Sequence, residues 1–298
     1  MKNIIALLAI LAIFSCKEEK IKNKEIAKIE EKEVHQEMYA SWVGDFIAEE
    51  YDEEKEFVHV NKLNIVFKRI TPNLVIGQSI VAGNSRLLTG TFNQEGNIIR
   101  FSLKEPGNQK YDGEFKFEFI DNNLVGSWEA YDKTLAVTKR SFKLRKKEFV
   151  YDPNLMLPEE GDYVDWENPK TSETKIDKTE GDGQILDSID KDIEYTEEFF
   201  RFASDQVIKL NASIEKMDEE TLKNLKKLDL EIIRNTIFAR HGYTFKKKSI
   251  RQFFDPVEWY IPISENVDND LTTIEKENIA LLKRYEKYAE DNYDTFGR

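Results

Sequence analysis

The chain has 298 residues, with 57 acidic against 44 basic side chains and a formal net charge of −13. A protein so negative lacks the basic face that phosphate neutralisation requires, which excludes nucleic acid as a partner, and an anionic bilayer repels any part of it not held by an anchor. The length calls for about two domains, and an apolar fraction of 40% is enough to give them cores.

Lys2 supplies a positive start and Ile4 to Phe14 is an unbroken apolar run ending before Ser15-Cys16, so residues 1–15 read as a signal peptide. The run is shorter than the roughly 20 apolar residues a spanning helix needs, and Lys17, Glu18, Glu19 and Lys20 follow at once. Ile13-Phe14-Ser15-Cys16 resembles the lipobox of bacterial lipoproteins, with a bulky residue at Phe14 as lipoproteins of the Bacteroidota often carry. That resemblance implies a mature N-terminus at Cys16, diacylated there and so anchored to a membrane of the cell envelope, the outer membrane in particular. Lys17-Glu18-Glu19 is similar to short export tags that bring such proteins to the cell surface; a plain charged tether has the same composition. Cys16 is the only cysteine, which leaves no partner for an intrachain disulfide. Residues 16–37, nearly all Lys, Glu and Ile, read as a lipidated charged tether.

Over residues 38–149 the apolar period becomes two. Phe115-Lys116-Phe117-Glu118-Phe119 sets three aromatics on one face against two charges, and Leu63 to Phe67, Ile99 to Leu103 and Phe142 to Leu144 follow the same rule. Turn residues stand between the runs, in Ala82-Gly83-Asn84, Glu95-Gly96-Asn97, Pro106-Gly107-Asn108 and Asp121-Asn122-Asn123. About eight short antiparallel strands with one apolar face each close into a barrel or a sandwich. Trp42-Val43-Gly44-Asp45-Phe46 and Gly126-Ser127-Trp128 resemble lipocalin-like barrel domains of bacterial lipoproteins, with Trp-x-Gly in place of Gly-x-Trp. In such a barrel Phe101, Phe115, Phe117 and Trp128 point inward, where they either line an apolar cavity or fill the core completely.

Residues 150–185 turn to Asp, Glu, Lys, Pro, Gly and Thr, with Tyr163 and Trp166 the main large apolar residues, and read as an acidic linker. Residues 186–298 read as a small, mainly helical region. Its periodicity is loose through Ile189, Ile193 and Phe199 to Phe202 and clearer from Leu222 on. Asp229 is placed to cap a helix with a face of Leu230, Ile233 and Ile237, and Gly242 to end it in a left-handed cap. Ser249 to Phe254 is a short helix stopped by Pro256. Thr272-Thr273-Ile274-Glu275 has capping-box spacing ahead of a last helix.

The run Ile233-Arg234-Asn235-Thr236-Ile237-Phe238-Ala239-Arg240-His241-Gly242-Tyr243-Thr244-Phe245 resembles the motif that names the YARHG domain, with Phe238 at the place of the eponymous tyrosine. The likeness continues through Phe253-Phe254, Trp259-Tyr260-x-Pro262 and Ile274-Glu275-Lys276-x-Asn278-Ile279, so it spans about residues 218–287. It implies an extracellular bacterial module without an established activity. The motif's candidate binding residues are Arg234, Asn235, Arg240, His241, Trp259 and Tyr260. Arg240 and His241 close a helix, where cations favour the negative end of the dipole, and Trp259-Tyr260 either stacks on a ligand or plugs the small core.

No HExxH, Walker A loop, GxGxxG, CxxC or GxSxG is present, and His35, His59 and His241 lie in different segments. The expectation is therefore a non-enzymatic lipoprotein with no catalytic residue, metal or cofactor. Its partners would be the membrane, through the lipid on Cys16, and an envelope glycan or protein. The alternatives are a carrier of a small apolar ligand in the barrel and an envelope hydrolase acting through His241 or a carboxylate.

Overall fold

The computed structural model describes residues 31–175 and 194–289; the signal peptide, Cys16 and most of the tether lie outside them. Strands β1 (Ser41–Tyr51), β2 (Val60–Thr71), β3 (Leu74–Val81), β4 (Asn84–Glu95), β5 (Ile98–Lys104), β6 (Gly113–Ile120), β7 (Asn123–Ala130) and β8 (Val137–Lys147) pair antiparallel in sequence order. β8 returns to β1, so the sheet closes into a barrel and leaves no edge. Four of its hairpins turn on two residues, and in two of them, Ala82-Gly83 and Asp121-Asn122, both residues have positive φ. That backbone twist matches the twist of the strands it joins.

Period two places the inward aromatics in contact with one another. Phe101 and Phe117 stack with ring centroids 5.1 Å apart, Phe67 lies 5.1 Å from Phe101, and Phe142 lies 5.8 Å from Phe117. Phe46 meets Trp128 at 5.8 Å and Phe115 at 6.1 Å, so side chains fill the middle of the barrel. One end is shut by the residues just before β1. A 3-10 turn, Gln36–Met38, buries Met38, whose carbonyl accepts from the Trp42 indole at 2.9 Å; Val34 donates its N–H to Ile70 O at 2.9 Å. Within the segment read as tether Val34 packs on the barrel, as do Met38 and Tyr39 just after it, because all three supply apolar surface at its open rim.

β2 departs from simple alternation. Lys62 and Asn64 lie on its outer face, yet both are buried, because the C-terminal domain covers that face. Asn64 Nδ2 donates to Pro262 O at 2.9 Å, and Lys62 Nζ donates to the carbonyls of Val257 and Tyr260. Burial lowers the Lys62 pKa to about 8 despite the nearby Asp255 carboxylate.

The C-terminal domain packs α3 (Lys227–Arg240) against α5 (Thr273–Glu286), with α1 (Gln206–Lys209), α2 (Glu219–Leu222) and α4 (Lys248–Phe254) around them. Gly242 has φ +71, as a left-handed helix stop requires, and Thr272 and Glu275 form the reciprocal capping box. Asp229 is not the N-cap of α3. Lys226 is, and Asp229 sits three positions on, accepting from Lys226 N at 3.1 Å and from Ser204 N and Oγ at 2.6 and 2.8 Å.

Two further expectations are corrected. The linker contains a strand, β9 (Val164–Lys175), that pairs with β10 (Glu194–Phe202), so Phe199 to Phe202 is extended rather than helical; Ile189 and Ile193 lie outside the described residues. Asp165 holds this hairpin to the helices, accepting from Arg201 Nε at 3.0 Å, from Asn168 Nδ2 at 2.9 Å and from Gln252 Nε2 at 2.8 Å. The start of the linker is also stitched down. Pro153, Leu155 and Met156 give their carbonyls to Asn211, Arg240 and Trp259, and Leu157 enters the C-terminal core. A segment poor in apolar residues becomes ordered here because buried donors of the neighbouring domain need acceptors.

Candidate functional site

The structure sorts the six motif residues into two groups. Arg240, His241, Trp259 and Tyr260 are braces. Arg240 is 2% exposed and donates Nε to Leu155 O at 2.7 Å and Nη1 to Ser213 Oγ at 3.0 Å, with no carboxylate in ion-pair distance among the described residues; burial lowers its pKa to about 10. His241 Nε2 meets Glu275 Oε2 at 2.8 Å, and the imidazole is stacked on the Tyr151 ring at 4.2 Å. Glu275 also accepts from Tyr151 Oη at 2.9 Å and from Thr272 N at 2.9 Å. Its burial favours the neutral acid, but the hydrogen bonds from His241, Ser213 and Thr272 outweigh that and hold its pKa down at about 2. Trp259 Nε1 donates to Met156 O at 2.7 Å, and the Tyr260 hydroxyl to Tyr243 O at 2.6 Å.

Arg234 and Asn235, by contrast, line an open groove of about 1070 Å³ between the β9–β10 hairpin, α3, α4 and residues 265–268. Arg234 is held in place by a bidentate pair with Glu286 of α5, and Asn235 donates back to Glu231 O at 2.8 Å. Phe238 and Tyr243 give the groove an aromatic floor, their rings 5.8 Å apart. A tyrosine hydroxyl at position 238 would belong to this site. Lys170, Lys227 and Lys247 also line the groove and have no ion-pair partner among the described residues, against one such acid, Asp268, which leaves an excess of free positive charge on one face of an acidic protein.

Phe101, Phe115, Phe117 and Trp128 all point into the barrel, and Phe115 and Trp128 line a second cavity of about 610 Å³ at the barrel end opposite the Met38 plug. Its charged lining is predominantly basic, with Lys55, Arg86, Lys110, Arg140 and Arg251 against Glu56 and Glu105. Glu105 accepts from Ser79 Oγ at 2.8 Å, Gly113 N at 2.7 Å and Trp128 Nε1 at 3.2 Å; burial outweighs these bonds and raises its pKa. Arg140 and Arg251 escape a sequence reading. The available signal is that Arg140 shares the inward register of Phe142 and Leu144, a charge on an apolar face.

Among the described residues, no cluster of three or more His, Cys, Asp or Glu side chains is arranged to hold a metal ion. None of the curated proteins and none of the solved structures compared with the chain matches it. The family model of the YARHG domain matches residues 205–287, and so reaches back beyond the motif to include α1 and the Asn211 to Ser213 segment that contacts Arg240 and Asn278. The chain therefore carries a C-terminal YARHG domain behind an eight-stranded antiparallel barrel.

Proposed function

We propose that this protein is a lipid-anchored envelope protein, held at the outer membrane through Cys16, that works by binding rather than by catalysis. YARHG domains occur in extracellular or envelope proteins, and the signal context of Cys16 supports the anchor. The observation that carries the binding role is the groove. Its family-motif residues Arg234 and Phe238 face solvent-accessible space beside three lysines with no ion-pair partner among the described residues, while the motif's histidine is enclosed as a brace. The partner is an envelope glycan or protein presenting acidic groups.

A screen of defined envelope glycans and purified envelope proteins against the whole chain tests this. A ligand should be retained, and Lys227→Glu with Lys247→Glu should weaken it about tenfold or more, with steep loss in salt. Equal retention by the double variant would remove the groove from the reading. Turnover of peptidoglycan, glycan or ester substrates that vanishes in a folded His241→Ala variant would replace it with a hydrolase. For the anchor, Cys16→Ser should move the protein from the membrane fraction to the soluble one; an unchanged distribution would count against lipidation.

The cavity at the barrel mouth favours a second role, carriage of a small ligand. Its volume falls within the range of small-molecule sites, roughly 300–1,000 Å³.

A further inference from the structure

Arg140 rises from β8 into the barrel mouth and is 8% exposed. It donates Nη1 to Phe46 O at 2.9 Å and His59 O at 3.1 Å, and Nη2 to Val58 O at 2.8 Å, but no carboxylate stands within ion-pair distance among the described residues. Arg251 comes from α4 of the YARHG domain and crosses to the barrel, where Nη1 donates to Asn61 Oδ1 at 2.5 Å. It is also 8% exposed, and its Nε is buried with no hydrogen-bond partner. Its one ion-pair partner among the described residues is Asp255, at 3.3 Å.

Two buried guanidinium groups thus share one cavity, with a single carboxylate beside one of them. Backbone carbonyls solvate a buried cation only partly, and an uncompensated buried charge or unpaired donor is costly. The missing component is an anion. Guanidinium forks match the planar, two-oxygen geometry of a carboxylate. Phe46, Phe115, Trp128 and Leu135 give the cavity an apolar wall; of the other cations on its lining Lys55 and Arg86 are paired with Asp52 and Asp112 and Lys110 is exposed, while the Glu105 carboxyl beside Trp128 disfavours a doubly charged ligand.

We propose that the barrel mouth binds a monocarboxylate with an apolar body, its carboxylate set between Arg140 and Arg251 and its body against the aromatic wall, so that the YARHG domain completes the barrel's site. This deepens the carriage reading and rests on it. It also assigns the two domains one joint task.

Calorimetric titration of the whole chain with hexanoate, decanoate and hexadecanoate, and with the alcohols of the same lengths, separates the two claims. At least one carboxylate should saturate a single site and bind about tenfold or more tighter than its alcohol. Arg251→Gln should lose about that factor, and Arg251→Lys less. Asn61→Asp keeps Arg251 but supplies it with a protein carboxylate, and should weaken the ligand as Arg251→Gln does. If an alcohol binds as tightly as its acid, carriage survives and the carboxylate assignment falls. If none of the probes binds, both fall. Unchanged affinity in both Arg251→Gln and Asn61→Asp would remove the YARHG domain from the site.

Discussion

Glu275→Ala is expected to destabilise the C-terminal domain by about 4 kcal/mol at neutral pH, since it strips the acceptor from several buried donors at roughly 1–3 kcal/mol each, with incomplete additivity. Those donors are His241 Nε2, the Tyr151 hydroxyl and the Thr272 N–H that begins α5. Urea denaturation followed by circular dichroism measures the loss. The same carboxylate gives the wild type a specific acid sensitivity. Its pKa is about 2 in the folded protein against an ordinary 4.5, so the ionised form is favoured by folding. The resulting stabilisation, roughly 3 kcal/mol at 1.36 kcal/mol per pKa unit, is complete above pH 4.5 and is lost as pH falls toward 2. Glu275→Ala should remove that component of the pH dependence. A variant with the wild-type slope between pH 4.5 and 2 would show that Glu275 is not held ionised by its neighbours.

Asp229→Ala should have a similar cost, about 4 kcal/mol, for a different reason. Asp229 is 1% exposed and joins three donors from two segments, Ser204 N and Oγ at the end of the hairpin and Lys226 N at the start of α3. Without it the helix loses its first-turn acid and the hairpin one of its holds on the helix, beside the Arg201–Glu231 pair. For a domain of this size such a loss lowers the melting temperature by roughly 15 °C or more. Asp229→Asn keeps one acceptor oxygen and should fall between. A melting temperature within a few degrees of wild type in Asp229→Ala would mean that water replaces the carboxylate at little cost.

The YARHG motif was legible as a motif, but its roles were not. Arg240 and Arg234 lie on the same helix and look alike in sequence. One is enclosed by residues 153–157 and Ser213, the other opens on the groove, and only the path of the preceding chain separates them. Trp259 and Tyr260 are adjacent, yet their donors serve carbonyls of two distant segments, Met156 and Tyr243. The β9–β10 hairpin was invisible for a related reason. Its sequence is charged and lacks the strict alternation of β6, and it is held by Asp165 through side-chain hydrogen bonds more than by an apolar face.

What the sequence alone determined is what local periodicity and turn chemistry dictate. An apolar period of two between paired turn residues leaves eight half-buried strands no stable arrangement except against one another. A capping box and a glycine past the last helical residue likewise set two boundaries of α3 and α5 without outside help. The tertiary structure decided everything that depends on a second surface. Lys62 and Asn64 are buried because another domain covers the outside of β2, and Arg251 reaches the barrel mouth because α4 docks at its rim. Burial of that kind belongs to pairs of residues about 190 positions apart, and no pattern within either segment carries it.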